Sequence, residues 1–283
     1  MGAAIAERAR LPSPVVTLSA LSAISGFFGA FLATPFAGAL IFIESTLKRG
    51  TMTWNAVPPS IVAATAGFAA YFLLSGAFLV GEFALLPYLF HDIDLLYASV
   101  LGLLGGGCGI LFIILYKKMR GIFEPMEDRP ILLGLFGGLG LGIAGMLFPL
   151  TLFMGSDQLQ FLIDNYLEVS LFLLLALVVV KILLVTFSFS TGFTRVFIFP
   201  GIFIGGTLGL LVFRLFPFIP LPVCLACVIA GFSVALLRSL IALALILGLI
   251  FQPELYLGTQ IIRLFRIIAE KADDFITVMA MGL

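Results

Sequence analysis

Charge is scarce in this chain. Fifteen basic and fifteen acidic side chains are spread over 283 residues, and they cancel. A nucleic-acid partner is excluded on that ground, because such surfaces need a dense patch of positive charge. Histidine occurs once, at His91, between Phe90 and Asp92. One histidine cannot make an H-E-x-x-H pair, and no G-x-S-x-G with a partner histidine occurs, so hydrolytic chemistry has little footing. A metal site at His91, Asp92 and Asp94 would need more ligands, and a solvated loop accounts for them. Three cysteines make no disulfide framework. Cys224 and Cys227 form a C-x-x-C, but inside an apolar run with no second ligand pair, and Cys108 among glycines reads as a small packing residue. No enzyme activity, metal or other cofactor is expected.

What is abundant is apolar surface. Hydrophobic residues are 62% of the chain, with 30 phenylalanines, and the mean hydropathy is +1.25. Runs of about 18 or more apolar residues read as spanning helices. The chain is therefore expected to be an all-α, polytopic membrane protein whose first partner is the lipid bilayer. The opening residues include Glu7, Arg8 and Arg10, which suit the second half of a helix better than a cleavable leader.

Apolar segments fall at 14–33, 35–47, 56–80, 96–117, 130–154, 166–189, 197–215, 219–236, 239–251 and 252–268. Several are too short to cross a hydrocarbon core of about 30 Å. Breaks fall at Thr34-Pro35 and at Arg238-Ser239. Short, broken helices in corresponding places mark inverted-repeat transporters. The stretch Ile24–Glu44 lies without gaps on Ile229–Leu249, with nine identities in 21 positions, a shared Gly-Phe and a matching break. Loop charge predicts that 48–54 and 117–130, with Lys117, Lys118, Arg120 and Arg129, face the cytoplasm. The acidic 79–95 loop is expected on the far side. The glycines at 102, 105, 106, 107 and 109, and those at 134, 137, 138, 140 and 142, suit close helix approach.

The stretch Ser190–Gly209 carries most of the functional signal. It joins two apolar runs yet holds Gly192, Arg195, Pro200, Gly201, Gly205, Gly206 and Gly209. Irregular backbone at membrane depth lines a protein-walled cavity or a water-filled path, because unpaired N–H and C=O groups cannot face lipid. Pro200 fits the first turn of a helix, and the free N–H groups ahead of it would face an anion with the positive end of the helix dipole. The competing reading is an extramembrane turn with Arg195 solvated. Arg195 itself could attract an anion, block a pore by pairing with a carboxylate, or snorkel to the interface. Lys181, mid-run, either supports an anion route electrostatically or pairs with a buried acid such as Glu44. Glu44 either relays protons or ties neighbouring helices together.

These residues resemble the CLC family of chloride channels and proton–chloride antiporters. Thr34-Pro35-Phe-Ala-Gly-Ala-Leu-Ile-Phe-Ile-Glu44 is similar to the family's N-A-P-L-A-G-x-L-F-x-x-E helix. Lys181 opens a segment similar to K-L-x-x-T-x-x-S-x-x-S-G that ends at Ser190-Thr191-Gly192, and Ser190–Pro200 falls on G-x-P-G-G-x-F-x-P. The likeness runs from about residue 1 to about residue 255.

The resemblance implies a CLC-type fold with re-entrant helices and inverted repeats, lacking the first helices. It implies one transmembrane unit over 1–283, with 1–95 the remainder of a first repeat, 96–270 a second repeat and 271–283 a tail. It further implies that the backbone N–H groups of Phe197 and Ile198 help hold a central chloride, with Arg195, Val196 and Phe199 around them. Departures from the pattern are plain. The family's G-x-F-x-P reads Val196-Phe197-Ile198-Phe199-Pro200, Arg195 stands where a glycine is expected, and the inner proton-carrying glutamate falls at Ser45. The serine loop and gating glutamate would precede residue 1, and the pore tyrosine would lie near Ala280. The expected function is movement of chloride or a similar small anion without proton coupling, by a homodimer or by pairing with a full-length relative. The alternative is a non-conducting remnant or assembly subunit. An unrelated secondary transporter also remains compatible with broken helices.

Overall fold

The computed structural model describes residues 2–10, 12–32, 37–48, 54–75, 83, 88, 91–126, 128–193, 197–237 and 239–251. Among them the regular elements are all helical. They are α1 (Gly2–Arg8), α2 (Ser13–Phe31), α3 (Ala37–Lys48), α4 (Val57–Ser75), α5 (Asp94–Phe123) and α6 (Pro130–Leu147). Then follow α7 (Ser156–Asp164), α8 (Leu171–Ser190), α9 (Ile198–Leu215), α10 (Leu221–Leu237) and α11 (Leu240–Phe251). Six stretches are long and apolar enough to cross a membrane, those of α2, α4, α5, α6, α8 and α9.

Helix ends follow local chemistry. Pro14 and Pro130 sit in the first turns of α2 and α6, where a missing N–H costs nothing. The Ser170 hydroxyl caps α8 by accepting the Leu173 N–H at 3.1 Å. Inside α8, the Thr186 hydroxyl donates to the Ile182 carbonyl at 2.9 Å and Ser190 to the Thr186 carbonyl at 2.7 Å. These two hydroxyls thus find partners within their own helix, where lipid offers none.

Helix α9 is the centre of the molecule. Two-thirds of it (67%) is buried inside the protein, against 11% of α2, α4 and α6. Its glycines let neighbours approach to backbone contact. A Cβ on Gly205 would come within 2.7 Å of the Ile229 Cα, and one on Gly209 within 2.6 Å of the Cys224 carbonyl oxygen. On the other side of α10, a Cβ on Gly231 would meet the Gly102 carbonyl oxygen at 2.1 Å, and one on Gly105 the Val228 carbonyl oxygen at 2.3 Å. Without a hydrophobic drive between helices in lipid, such close packing is what holds α5, α10 and α9 together. The expected glycine faces are only partly used: positions 107, 134, 138 and 142 have open space beside them.

Described helices flank both predicted breaks, while Thr34 and Arg238 lie outside the described residues. α2 gives way to α3, and α10 to α11, in places that the internal match superimposes. Pro35 lies outside the described residues.

Two expectations need correction. The region 117–130 is not all loop, because α5 runs on through Lys117, Lys118 and Arg120 to Phe123. Its 30 residues span about 45 Å at 1.5 Å per residue, longer than a hydrocarbon core of about 30 Å. Lysine and arginine are good helix formers, so the helix outlasts its apolar stretch. The apolar segment 130–154 is not one helix either. α6 stops at Leu147, a 3-10 turn occupies Pro149–Thr151, and the short amphipathic α7 follows. Pro149 forbids continuation, and Phe153 and Gly155 adopt positive φ of 56° and 95°.

Candidate functional site

Helix α8 ends at Ser190 and gives way to a turn at Thr191 and Gly192. Gly192 takes φ of 92° in this turn, a conformation that costs other residues about 1–2 kcal/mol. No side chain or backbone lies where its Cβ would be, so glycine is required here by backbone geometry alone. Thr191, with its hydroxyl donating to the Phe187 carbonyl at 3.0 Å, closes the last turn of α8. Arg195 and Val196 lie outside the described residues.

Phe197 is the first residue described beyond the turn and sits at the N-cap of α9. Its carbonyl accepts the Gly201 N–H at 2.9 Å, the first bond of the helical ladder. The N–H groups of Ile198 and Phe199 therefore precede that ladder, and Pro200 has none to offer. This start of α9 is buried: Ile198 is 3% and Phe199 6% exposed. The Phe197 ring packs edge-on against Phe189 at 4.7 Å and Phe112 at 6.2 Å. The Phe199 ring meets Phe31 edge-on at 5.3 Å. Residues from α2, α5 and α8 thus wall in the positive end of α9, in surroundings where an oriented dipole is poorly screened.

Lys181 does not pair with Glu44, as one reading of the sequence expected. Only 2% exposed, its Nζ donates to the carbonyls of Thr151 at 2.7 Å and Phe153 at 2.9 Å, with Leu152 at 3.5 Å. The ammonium also lies 4.9 Å from the centre of the Phe203 ring on α9, a cation–π distance. The Pro149–Thr151 turn and the non-helical residues Leu152 and Phe153 after it make this possible, because their carbonyls are free of a helical ladder. Nothing in the local pattern at 149–155 advertises that role.

Glu44 is engaged elsewhere. It is 7% exposed, and its two oxygens accept the N–H groups of Ile241 and Ala242, each at 2.9 Å. These are orphan donors of the first turn of α11, so a carboxylate from α3 caps a distant helix and complements its dipole. Ser239, just ahead, donates from Oγ to the Ile41 carbonyl at 3.4 Å. The side chain of Ser45 is outside the described set.

His91 is more than a solvated loop residue. Its side chain is 68% exposed, but its backbone N–H donates to Asp94 Oδ2 at 2.8 Å, and its Nδ1 lies 3.2 Å from the Tyr88 hydroxyl. The Tyr88 hydroxyl donates to the same Asp94 oxygen at 2.7 Å. Partial burial, then that bond and the charge of Asp94, push the Tyr88 phenol up to about 12. The cluster stitches the acidic loop to the start of α5. Among the described residues no group of three potential metal ligands occurs, and the three cysteines are free.

Six long apolar helices, one of them with its N-terminus buried among its neighbours, define a multi-pass integral membrane protein. The family profile described as "Voltage gated chloride channel" matches residues 1–264. The chain belongs to that family. It is 29% identical over 224 residues to "Putative ion-transport protein YfeO" of Escherichia coli O1:K1 / APEC, a match covering 77% of this chain and 52% of the relative. The protein of the same description in Shigella boydii serotype 18 is 28% identical over the same length, with the same coverage. The chain thus spans about half the length of the curated relatives it matches. Among solved structures, a CLC-type fluoride/proton antiporter superposes with a TM-score of 0.72 at 22% identity, over 90% of this chain and 64% of that one. At that identity the likeness carries the fold.

Proposed function

We propose that this chain moves chloride or a similar small anion across a membrane, with the ion held at the start of α9. One observation carries the reading: the Ile198 and Phe199 N–H groups precede the first ladder bond of a helix whose N-terminus is buried among three others. Backbone amides and a helix dipole replace part of an anion's water shell without any fixed charge that would trap it. Arg195, which lies between Gly192 and α9 in the sequence, adds an attracting charge in this reading. Fluoride is the named ion of the superposed antiporter, and chloride that of the family, which supports a small halide as the substrate class.

Transport by this chain is uncoupled from protons in our reading. Both oxygens of Glu44 are occupied by backbone donors, which suits a structural tie rather than a carrier, and the Ser45 hydroxyl does not take up and release a proton near neutral pH as a carboxyl group can. The test is efflux from liposomes loaded with chloride, read by a chloride electrode and a pH electrode together. Chloride efflux with no proportional proton movement is expected, and it should change when Arg195→Gly is introduced. Stoichiometric proton movement overturns the uncoupled mode. Efflux that appears only when a full-length relative is reconstituted alongside would favour an assembly-subunit role instead.

A further inference from the structure

Between α5, α10 and α11 runs an apolar groove of about 680 Å³. Its α5 wall extends from Ala98 to Ile113, about 22 Å at 1.5 Å per residue. Gly231 and Val234 of α10 and Leu243 of α11 form the other side. One turn past Ile113 the helix presents Lys117, and Lys118 and Arg120 follow, all three exposed. We infer that this groove is a docking site for an anionic phospholipid, with one acyl chain lying along α5 and the headgroup phosphate at Lys117.

Missing side chains make the hollow. A Cβ on Gly102 would meet nothing within 4 Å, and one on Gly106 only the Gly231 carbonyl oxygen at 3.8 Å. The lining is glycine and aliphatic side chains with Cys227, so no set of polar groups converges to hold water. Left empty, the walls forfeit their dispersion contacts. In a bilayer the molecule at hand to fill such a space is a lipid chain. The hydrocarbon of one leaflet is about 15 Å deep, half of the core. Measured back along α5 from Lys117, that depth ends near Gly106. A chain whose headgroup sits at Lys117 therefore reaches the hollow.

Charge then selects the headgroup. Residues three and four apart share a helix face, so Gly102, Gly106, Ile110, Ile113, Lys117 and Arg120 follow one line along α5. The groove leads to cations rather than to a neutral rim. Among the described residues neither Lys117 nor Lys118 pairs with an acid. Glu124, the next acid on that line, stands about 10 Å beyond Lys117. A lysine at the boundary keeps its stem against the lipid and its ammonium among the headgroups, where each cation favours an anionic lipid. A zwitterionic headgroup brings its own positive charge against the same lysines and loses that preference.

The experiment is photolabelling of the full chain in phosphatidylcholine vesicles that carry a trace of phosphatidylglycerol with a diazirine in its acyl chain. Label is expected on peptides from 98–113 and 230–244. Unlabelled phosphatidylglycerol should compete it away, whereas phosphatidylcholine with the same chains and soluble glycerol phosphate should not. Lys117→Gln should lower labelling there about fivefold, the effect of one cation near a membrane surface. Gly106→Leu fills the hollow from a position whose Cβ meets no close neighbour, and it should abolish the label at unchanged helix content by circular dichroism. Should that variant fail to fold, the competition and Lys117→Gln still decide. Equal labelling by a phosphatidylcholine probe overturns the inference, as does labelling indifferent to Lys117→Gln. An unlabelled groove means that another occupant, the 252–268 segment or a second copy, fills it, and overturns the inference too.

Discussion

The Glu44 carboxylate and the Ala242 amide meet at 2.9 Å across 198 positions of sequence. With the matching bond to Ile241, this closes the broken end of α11 onto α3, and it joins the two segments that the internal match superimposes. A bidentate carboxylate on two orphan N–H groups is among the stronger caps available, because charged acceptors roughly double the value of a hydrogen bond.

Removing that cap should be costly. Glu44→Ala leaves two buried donors unanswered and is expected to destabilise the protein by about 2–4 kcal/mol. Glu44→Gln keeps an acceptor without the charge and should lose about half as much. Thermal unfolding in detergent, followed by loss of the monodisperse peak, ranks the three proteins. Equal melting of all three would show that the cap contributes nothing.

Gly231 and Gly107 predict opposite outcomes for the same substitution. Gly231→Ala places a methyl 2.1 Å from the Gly102 carbonyl oxygen, so α5 and α10 must separate, at an expected cost of about 1–3 kcal/mol. Gly107→Ala, in the same α5 and facing open space, should be neutral or raise stability by up to about 1 kcal/mol through helix propensity. Melting temperatures of the pair decide whether close approach or mere composition explains the glycines.

At Gly192 the constraint is dihedral rather than steric. Gly192→Ala is expected to cost about 1 kcal/mol and Gly192→Asn less, since asparagine tolerates positive φ. Denaturant midpoints compared with the unmodified chain provide the check, and an unaffected alanine variant would contradict the observed φ of 92°.

Alkaline pH should act through Tyr88. Its phenol is pushed up to about 12, while an unfolded tyrosine ionises near 10. The folded state therefore keeps a proton that the unfolded state releases, and the contribution is present below pH of about 10 and lost as pH rises towards 12. Ultraviolet phenolate titration should show one tyrosine ionising late, missing in Tyr88→Phe and shifted down in Asp94→Asn. A Tyr88 that titrates with the exposed tyrosines would remove the Asp94 contact from the account.

Much of the fold was legible because a bilayer writes it into composition. Apolar runs marked every long helix among the described residues, and the ends of α2 and α10 and the starts of α3 and α11 flank the sequence breaks at Thr34-Pro35 and Arg238-Ser239. Helix ends were less so. α5 outran its apolar stretch because Lys117, Lys118 and Arg120, good helix formers, end the apolar run without ending the helix. α7 was missed because nine residues of mixed character give no long run. Pro200 and Gly192 pointed to the buried start of α9, yet the partners of Lys181 were out of reach, since backbone carbonyls carry no residue signature.

What the sequence alone determined, then, is the solvent and the periodicity: lipid demands helices, and prolines and glycines say where they may stop. Which buried charge meets which partner was decided only in three dimensions. Lys181 could have met Glu44 by any rule of attraction, but packing around α9 set carbonyls beside one and amides beside the other. Such short-range polar bonds depend on positions to within a few tenths of an ångström, and only the assembled helices supply that.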